Sequence, residues 1–168
     1  FRSNVDDSVS YVLMEIKSET DYTSHHIQKV LGFFAAMRNF ANELRQSGHE
    51  VIYIHLLDAN NKQSFDANCR YLIEKNKFSK FEYLLPDEYR VDQHLKAFTA
   101  QLKIPFEFFD TEHFYSKREE LKEIFHGKKS LLMETFYRNM RIKHKVLVDD
   151  NDKPLLGKWN FDEDNRQK

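Results

Sequence analysis

Apolar positions along the first two thirds of the chain alternate between two rhythms. Tyr11-Val12-Leu13-Met14 is a continuous apolar run, rich in β-formers and too short for a helix, which predicts a buried strand over Tyr11 to Ile16. After Ser24 the period changes to about 3.6, with Ile27, Val30, Phe34, Met37, Ala41 and Leu44 on one face of a long helix. Thr23 or Ser24 is the expected N-cap, and Ser47-Gly48 the expected stop. Lys17 to Asp21 between them reads as a polar turn.

The two rhythms repeat. Val51 to Leu56 reads as a strand, and Ser64 to Glu74 as a helix with Phe65, Cys69, Leu72 and Ile73 inward. Phe81 to Leu85 reads as a strand stopped by Pro86, Tyr89 to Leu102 as a helix, and Ile104 to Phe109 as a strand. Such alternation predicts an α/β fold, a Rossmann-like open parallel sheet flanked by helices on both faces. From Ser116 the pattern becomes helical, over Ser116 to Phe125 and Leu131 to His144, followed by a short strand at Val146 to Val148. Residues 1–168 then form a single domain, with βα units over about 1–110, helices over about 116–145 and a C-terminal extension over 146–168. In a doubly wound sheet the first strand usually lies centrally, so the visible strands are expected to be numbers two to five, with the first upstream of Phe1.

Strand-turn-helix units place the strand's carboxyl end and the helix's amino end at one rim, where open α/β folds bind ligands. Residues 15–33 are therefore the place to seek function. Glu15 and Glu19 frame the turn and can accept hydrogen bonds from a heterocyclic ligand, although charged turn residues are most often merely solvated. Phe33 lies on the flank of the apolar helix face, where it serves as a core aromatic or as a pocket wall. His25-His26 follows Tyr22 at the helix start, but adjacent helical side chains point about 100° apart and do not readily chelate one metal.

Composition narrows the remaining classes. With 40% hydrophobic residues, 14% aromatic and 15 Phe, a packed core is affordable within 168 residues, and the mean hydropathy of -0.72 reflects the 32% charged content. Lys plus Arg number 26 and Asp plus Glu 27, so no global basic field favours nucleic acid. Arg138, Arg141, Lys143, His144 and Lys145 form the one local basic cluster, on a predicted helix whose C-terminus such charges suit. Cys69 is the only cysteine, which excludes an internal disulfide or a multi-thiolate metal site and fits a reducing, cytoplasmic setting. The apolar runs are too short for a membrane helix. With Gly only at 32, 48, 127 and 157, neither a GxGxxG nor a Walker-type loop is present.

Four strings nonetheless point to one family. Glu15 through Arg38, with Tyr22, His25-His26, Lys29 and Ala36-Met37-Arg38, is followed by Leu85-Pro86-Asp87-Glu88-Tyr89-Arg90, then Met133-Glu134-Thr135-Phe136-Tyr137-Arg138-Asn139-Met140-Arg141, then Gly157-Lys158-Trp159-Asn160-Phe161-Asp162 with Asn165-Arg166. In this order they resemble the deoxyribodipyrimidine photolyase-related proteins, the iron-sulfur bacterial branch of the photolyase and cryptochrome superfamily, over nearly the whole chain. The resemblance implies an amino-terminal antenna domain that precedes a helical FAD domain lying outside these residues. It implies light-driven DNA photolesion repair by the complete flavoprotein, with DNA and the protein's own helical domain as partners and no membrane.

For the present residues the resemblance implies light harvesting and scaffolding, with no catalytic residue and no metal ligand. A ribityllumazine antenna is expected at Glu15, Glu19, Tyr22 and Phe33, whereas FAD and an iron-sulfur cluster are expected only in the helical domain. Cys69 matches none of the cluster ligands. Two positions depart from the family pattern: Phe33 stands where the pocket residue is often smaller, and Leu156-Gly157 replaces the usual Gly-Gly. The alternatives are a cryptochrome-type blue-light photoreceptor and a stand-alone nucleotide-binding or interaction module without flavin.

Overall fold

A computed structural model of the chain describes residues 4–160. It is mixed α/β, with β1 Ser10–Met14, α1 Ser18–Asp21, α2 Ile27–Gln46, β2 Glu50–Ile54, α3 Phe65–Asn76, β3 Phe81–Leu84, α4 Tyr89–Thr99, β4 Phe106–Phe109, α5 Glu120–Ile124 and α6 Met133–Lys143. Two compact units divide it. Unit one comprises Phe1–Tyr83 with Asp87–Glu107, and unit two Leu84–Pro86 with Phe108–Lys168.

The β1 and β2 strands pair in parallel from Ser10 opposite Glu50 to Met14 opposite Ile54. Beyond the last pair, the Glu15 N–H still donates to the Ile54 carbonyl at 2.9 Å. In β3 and β4 the Phe81 N–H donates to Pro105 O at 3.0 Å and the Leu85 N–H to Phe109 O at 2.9 Å. Both strands advance together, so this pair is parallel too. Where one open sheet was expected, the described residues give two two-stranded sheets, β1 with β2 and β3 with β4.

Helix α2 follows its periodicity from Val30 onward, whereas Ile27, expected on the same face, is 63% exposed in the first turn. Ala41 and Leu44 are buried, and Val30, Phe34 and Met37 half-buried, while the helix ends at Ser47 with Gly48 at φ +89°. Its start differs from expectation. The cap is His26, whose Nδ1 accepts the Gln28 N–H at 3.2 Å, and neither Thr23 nor Ser24 takes that place. The stretch read as a polar turn contains α1, a single helical turn. Core side chains of unit one are Ile16, Ala41, Leu44, Ile54, Cys69, Leu72, Leu95 and Phe98. The Phe98 ring is met edge-on by Phe65 at 5.6 Å and Phe81 at 5.5 Å, a favoured aromatic geometry.

In unit two the helix expected over Ser116 to Phe125 shortens to Glu120–Ile124, and the expected strand at Val146 to Val148 reduces to one antiparallel bridge between Val148 and Pro154. Lys145 and Leu147 both have positive φ, which breaks the extended run a strand needs. Arg141 of α6 is 3% exposed. Its guanidinium donates to the carbonyls of Val146, Leu147 and Trp159 and lies 5.1 Å from the Trp159 ring and 5.6 Å from Tyr137. Two of the sequence strings, one with Tyr137 and Arg141 and the other with Trp159, thus meet around one cation. Phe161, Asp162, Asn165 and Arg166 of the last string lie outside the described residues.

Candidate functional site

Unit one contains a cavity of about 400 Å³ where β1 ends and α2 begins. Met14 and Ile16 come from the end of β1, Glu19, Thr20 and Tyr22 from the segment after it, and His25, Lys29, Val30, Phe33, Phe34 and Met37 from α2 and its approach. The opposite wall is Phe65 at the start of α3 and Glu88, Arg90, Val91, His94 and Leu95 of α4. The size falls within the range of small-molecule sites, and the lining has the usual character of apolar and aromatic side chains with a few polar groups.

Of the four residues singled out by sequence, Glu19, Tyr22 and Phe33 line this cavity. Phe33 lies at the cavity with 59% exposure, and the Lys29 ammonium lies 5.8 Å from its ring centroid. Tyr22 meets the His25 ring edge-on at 5.1 Å, and Lys29 Nζ donates to His25 Nδ1 at 3.2 Å.

Glu15 is placed differently and does not line the cavity. Its side chain is fully buried, and its carboxylate accepts from Arg38 Nε at 2.6 Å, an Arg38 terminal nitrogen at 3.0 Å, the Tyr53 hydroxyl at 2.7 Å and the Leu56 N–H at 2.9 Å. Burial alone would raise its pKa; the hydrogen bonds from Arg38, Tyr53 and Leu56 outweigh burial and bring it down to about 2. Burial, reinforced by the same contact with Glu15, pushes the Tyr53 hydroxyl up to about 12. Next to it, buried Asn61 donates to the carbonyls of Glu15 and His55, and Asn68 donates to Asn61 Oδ1. Glu15 therefore anchors the loop after β2 to the end of β1, whereas Glu19 lines the cavity.

Arg90 and Glu88 were not singled out as site residues, although the string Leu85 to Arg90 contains them. Glu88 stands at the N-cap position of α4 with no capping bond from its side chain, and Arg90 in the first turn donates from Nε to Glu88 at 2.8 Å and from a terminal nitrogen to Glu19 at 2.8 Å. Its guanidinium lies 4.5 Å from the centre of the Tyr22 ring, within cation–π range. The hydrogen bonds to Glu19, then Glu88, raise the Arg90 pKa, so the cation persists at any physiological pH.

No group of three His, Cys, Asp or Glu able to hold a metal occurs among the described residues, and His26 is occupied as a cap. In the basic cluster of α6, Arg138 pairs with Glu134, Lys143 with Glu120 and Lys145 with Asp152, while Arg141 is buried. No helix among the described residues is long and apolar enough to cross a membrane.

Fold and cavity together define a mixed α/β protein with a partly aromatic cavity at the carboxyl end of a strand. The chain belongs to the family described as deoxyribodipyrimidine photo-lyase-related protein, which matches residues 1–168. It is 37% identical over 156 residues to a (6-4) photolyase of Agrobacterium fabrum, covering 93% of this chain and 31% of that protein. It is also 25% identical over 171 residues to uncharacterized protein R852 of Acanthamoeba polyphaga mimivirus, covering 96% of this chain and 84% of that protein. The chain thus spans about a third of the length of the photolyase relative.

Proposed function

We propose that these residues form the amino-terminal light-harvesting and scaffold domain of a photolyase-like flavoprotein that repairs DNA photolesions in blue light. The observation that carries this reading is the cavity of about 400 Å³ at the end of β1, in a chain 37% identical to a (6-4) photolyase. In this reading the two parallel strand pairs are the outer strands of one open sheet. FAD, an iron-sulfur cluster and the DNA-binding surface belong to a helical domain outside these residues, and the setting is cytoplasmic, in keeping with a single buried, unpaired Cys69.

The cavity residues fit a ribityllumazine. A bound lumazine supplies absorption in the near-violet and passes its excitation onward, which demands rigid holding at fixed orientation and no proton transfer. Phe34, Met37, Phe65 and Val91 supply apolar surface for a planar ring, and Glu19 supplies a hydrogen-bond acceptor for a polyol chain. Phe33, larger than the family pattern, lines the cavity while remaining 59% exposed. Fluorescence titration of the protein from its complete reading frame with ribityllumazine tests this. Saturable, stoichiometric quenching is expected, and absence of binding to chromophore-free protein overturns the antenna role.

One observation favours a second reading. The mimiviral relative matches this chain over 84% of its own length, so a protein of nearly this size exists without the bulk of a photolyase. On that reading the chain is a stand-alone ligand-binding or interaction module. A colourless protein from its complete, cofactor-replete expression would favour it.

A further inference from the structure

The segment that joins β1 to α2 carries three cavity-lining residues, Glu19, Thr20 and Tyr22. Among the described residues, polar and ring contacts reach residues 17–24 from distant elements at two places. At the start of the segment the Lys17 N–H donates to Gln63 Oε1 at 3.2 Å. Further along, Arg90 of α4 binds the Glu19 carboxylate and covers the Tyr22 ring at 4.5 Å.

One guanidinium thus joins both walls of the cavity. Nε is held by Glu88 at 2.8 Å, which fixes the direction of the side chain, and a terminal nitrogen reaches Glu19 at 2.8 Å. Arginine suits this place because its planar fork serves two carboxylates and a ring face at once, which the single ammonium of lysine does not. Glu19 keeps 47% of its side chain exposed, so its oxygens retain room to accept from a further donor. An unfastened glutamate would lose rotamer freedom on binding a ligand, whereas a clasped one has lost it already.

We propose that Arg90 is the positioning residue of this cavity: it clasps the α1 segment to the start of α4 and presents the Glu19 carboxylate, already oriented, to a hydroxyl of the ligand. This rests on the antenna reading and gives a task to the Leu85 to Arg90 string, which that reading left without one. Arg90 acts through Glu19, so its effect must vanish where Glu19 can no longer act.

The test is a double-mutant cycle in the protein from its complete reading frame, with ribityllumazine as the probe. Arg90→Gln is expected to raise Kd about tenfold, as is Glu19→Gln, while Arg90→Gln in the Glu19→Gln background adds less than about twofold. Melting temperatures establish that each variant folds. Arg90→Lys, expected to show the same dependence on Glu19, replaces the Gln variant if that does not fold. An Arg90→Gln protein that binds as wild type, or one that loses as much affinity without Glu19 as with it, overturns the proposal. Failure of the wild type to bind lumazine is a separate result: it removes the antenna reading and this inference with it.

Discussion

The Glu15 carboxylate accepts four hydrogen bonds, two from Arg38 and one each from Tyr53 and the Leu56 N–H. Its pKa lies at about 2 in the fold against an ordinary value of 4.5. A depressed carboxylate stabilises the fold above its unfolded pKa and loses that contribution as pH falls through the folded one. Stability on the order of 3 kcal/mol should therefore be present above about pH 4.5 and disappear towards pH 2. Urea titrations across that window check it, and Glu15→Gln should cost about 2–3 kcal/mol at pH 7 and flatten the acid limb. Cys69 gives a second residue-scale prediction. Burial, with the nearby Asp66 charge, pushes its thiol up to about 12, so a thiol reagent at pH 8 should label it only after denaturation. The sequence showed Glu15 and Glu19 as two similar turn acids. What separates them is the reach of Arg38 and Tyr53 to one and of Arg90 to the other, contacts with partners 23 to 71 positions away that no local pattern encodes.

At the scale of elements, α2, α3 and α4 were legible because each combines an apolar stripe with a stop or start residue of known preference. The Gly48 stop has φ +89°, and an added Cβ would lie 3.2 Å from Val5 Cγ2. Gly48→Ala should therefore destabilise by about 1 kcal/mol or more, read as a lowered melting temperature. The N-terminus of α2 was misread because histidine rarely caps, yet Nδ1 of His26 offers the same acceptor a serine hydroxyl would. The segments from Ser116 to Phe125 and Val146 to Val148 carried suitable composition and formed little regular structure. There the organiser is Arg141, whose fork gathers three carbonyls from an irregular loop. Arg141→Lys keeps the charge and loses the fork, and should destabilise unit two by about 2 kcal/mol in hydrogen exchange or denaturant titration.

For the whole molecule, the family match runs over residues 1–168, whereas the cavity gathers residues between Met14 and Met37, Phe65, and residues between Glu88 and Leu95. The place of the cavity was readable from the strand-turn-helix rule, because a strand's carboxyl end leaves its neighbouring loops open. The far wall was not, since Arg90 joins Glu19 across 71 positions. Nor did the alternation of strands and helices reveal that the four strands make two separate pairs, since pairing order depends on contacts between distant strands that hydrophobic pattern leaves unspecified. The claim that unites these levels is that this domain serves a flavoprotein as its antenna. The absorption spectrum of the protein expressed from its complete reading frame tests it most directly. Flavin bands accompanied by a near-violet component that denaturation releases as lumazine are the expected result. A verified, cofactor-replete preparation that shows neither would contradict the account.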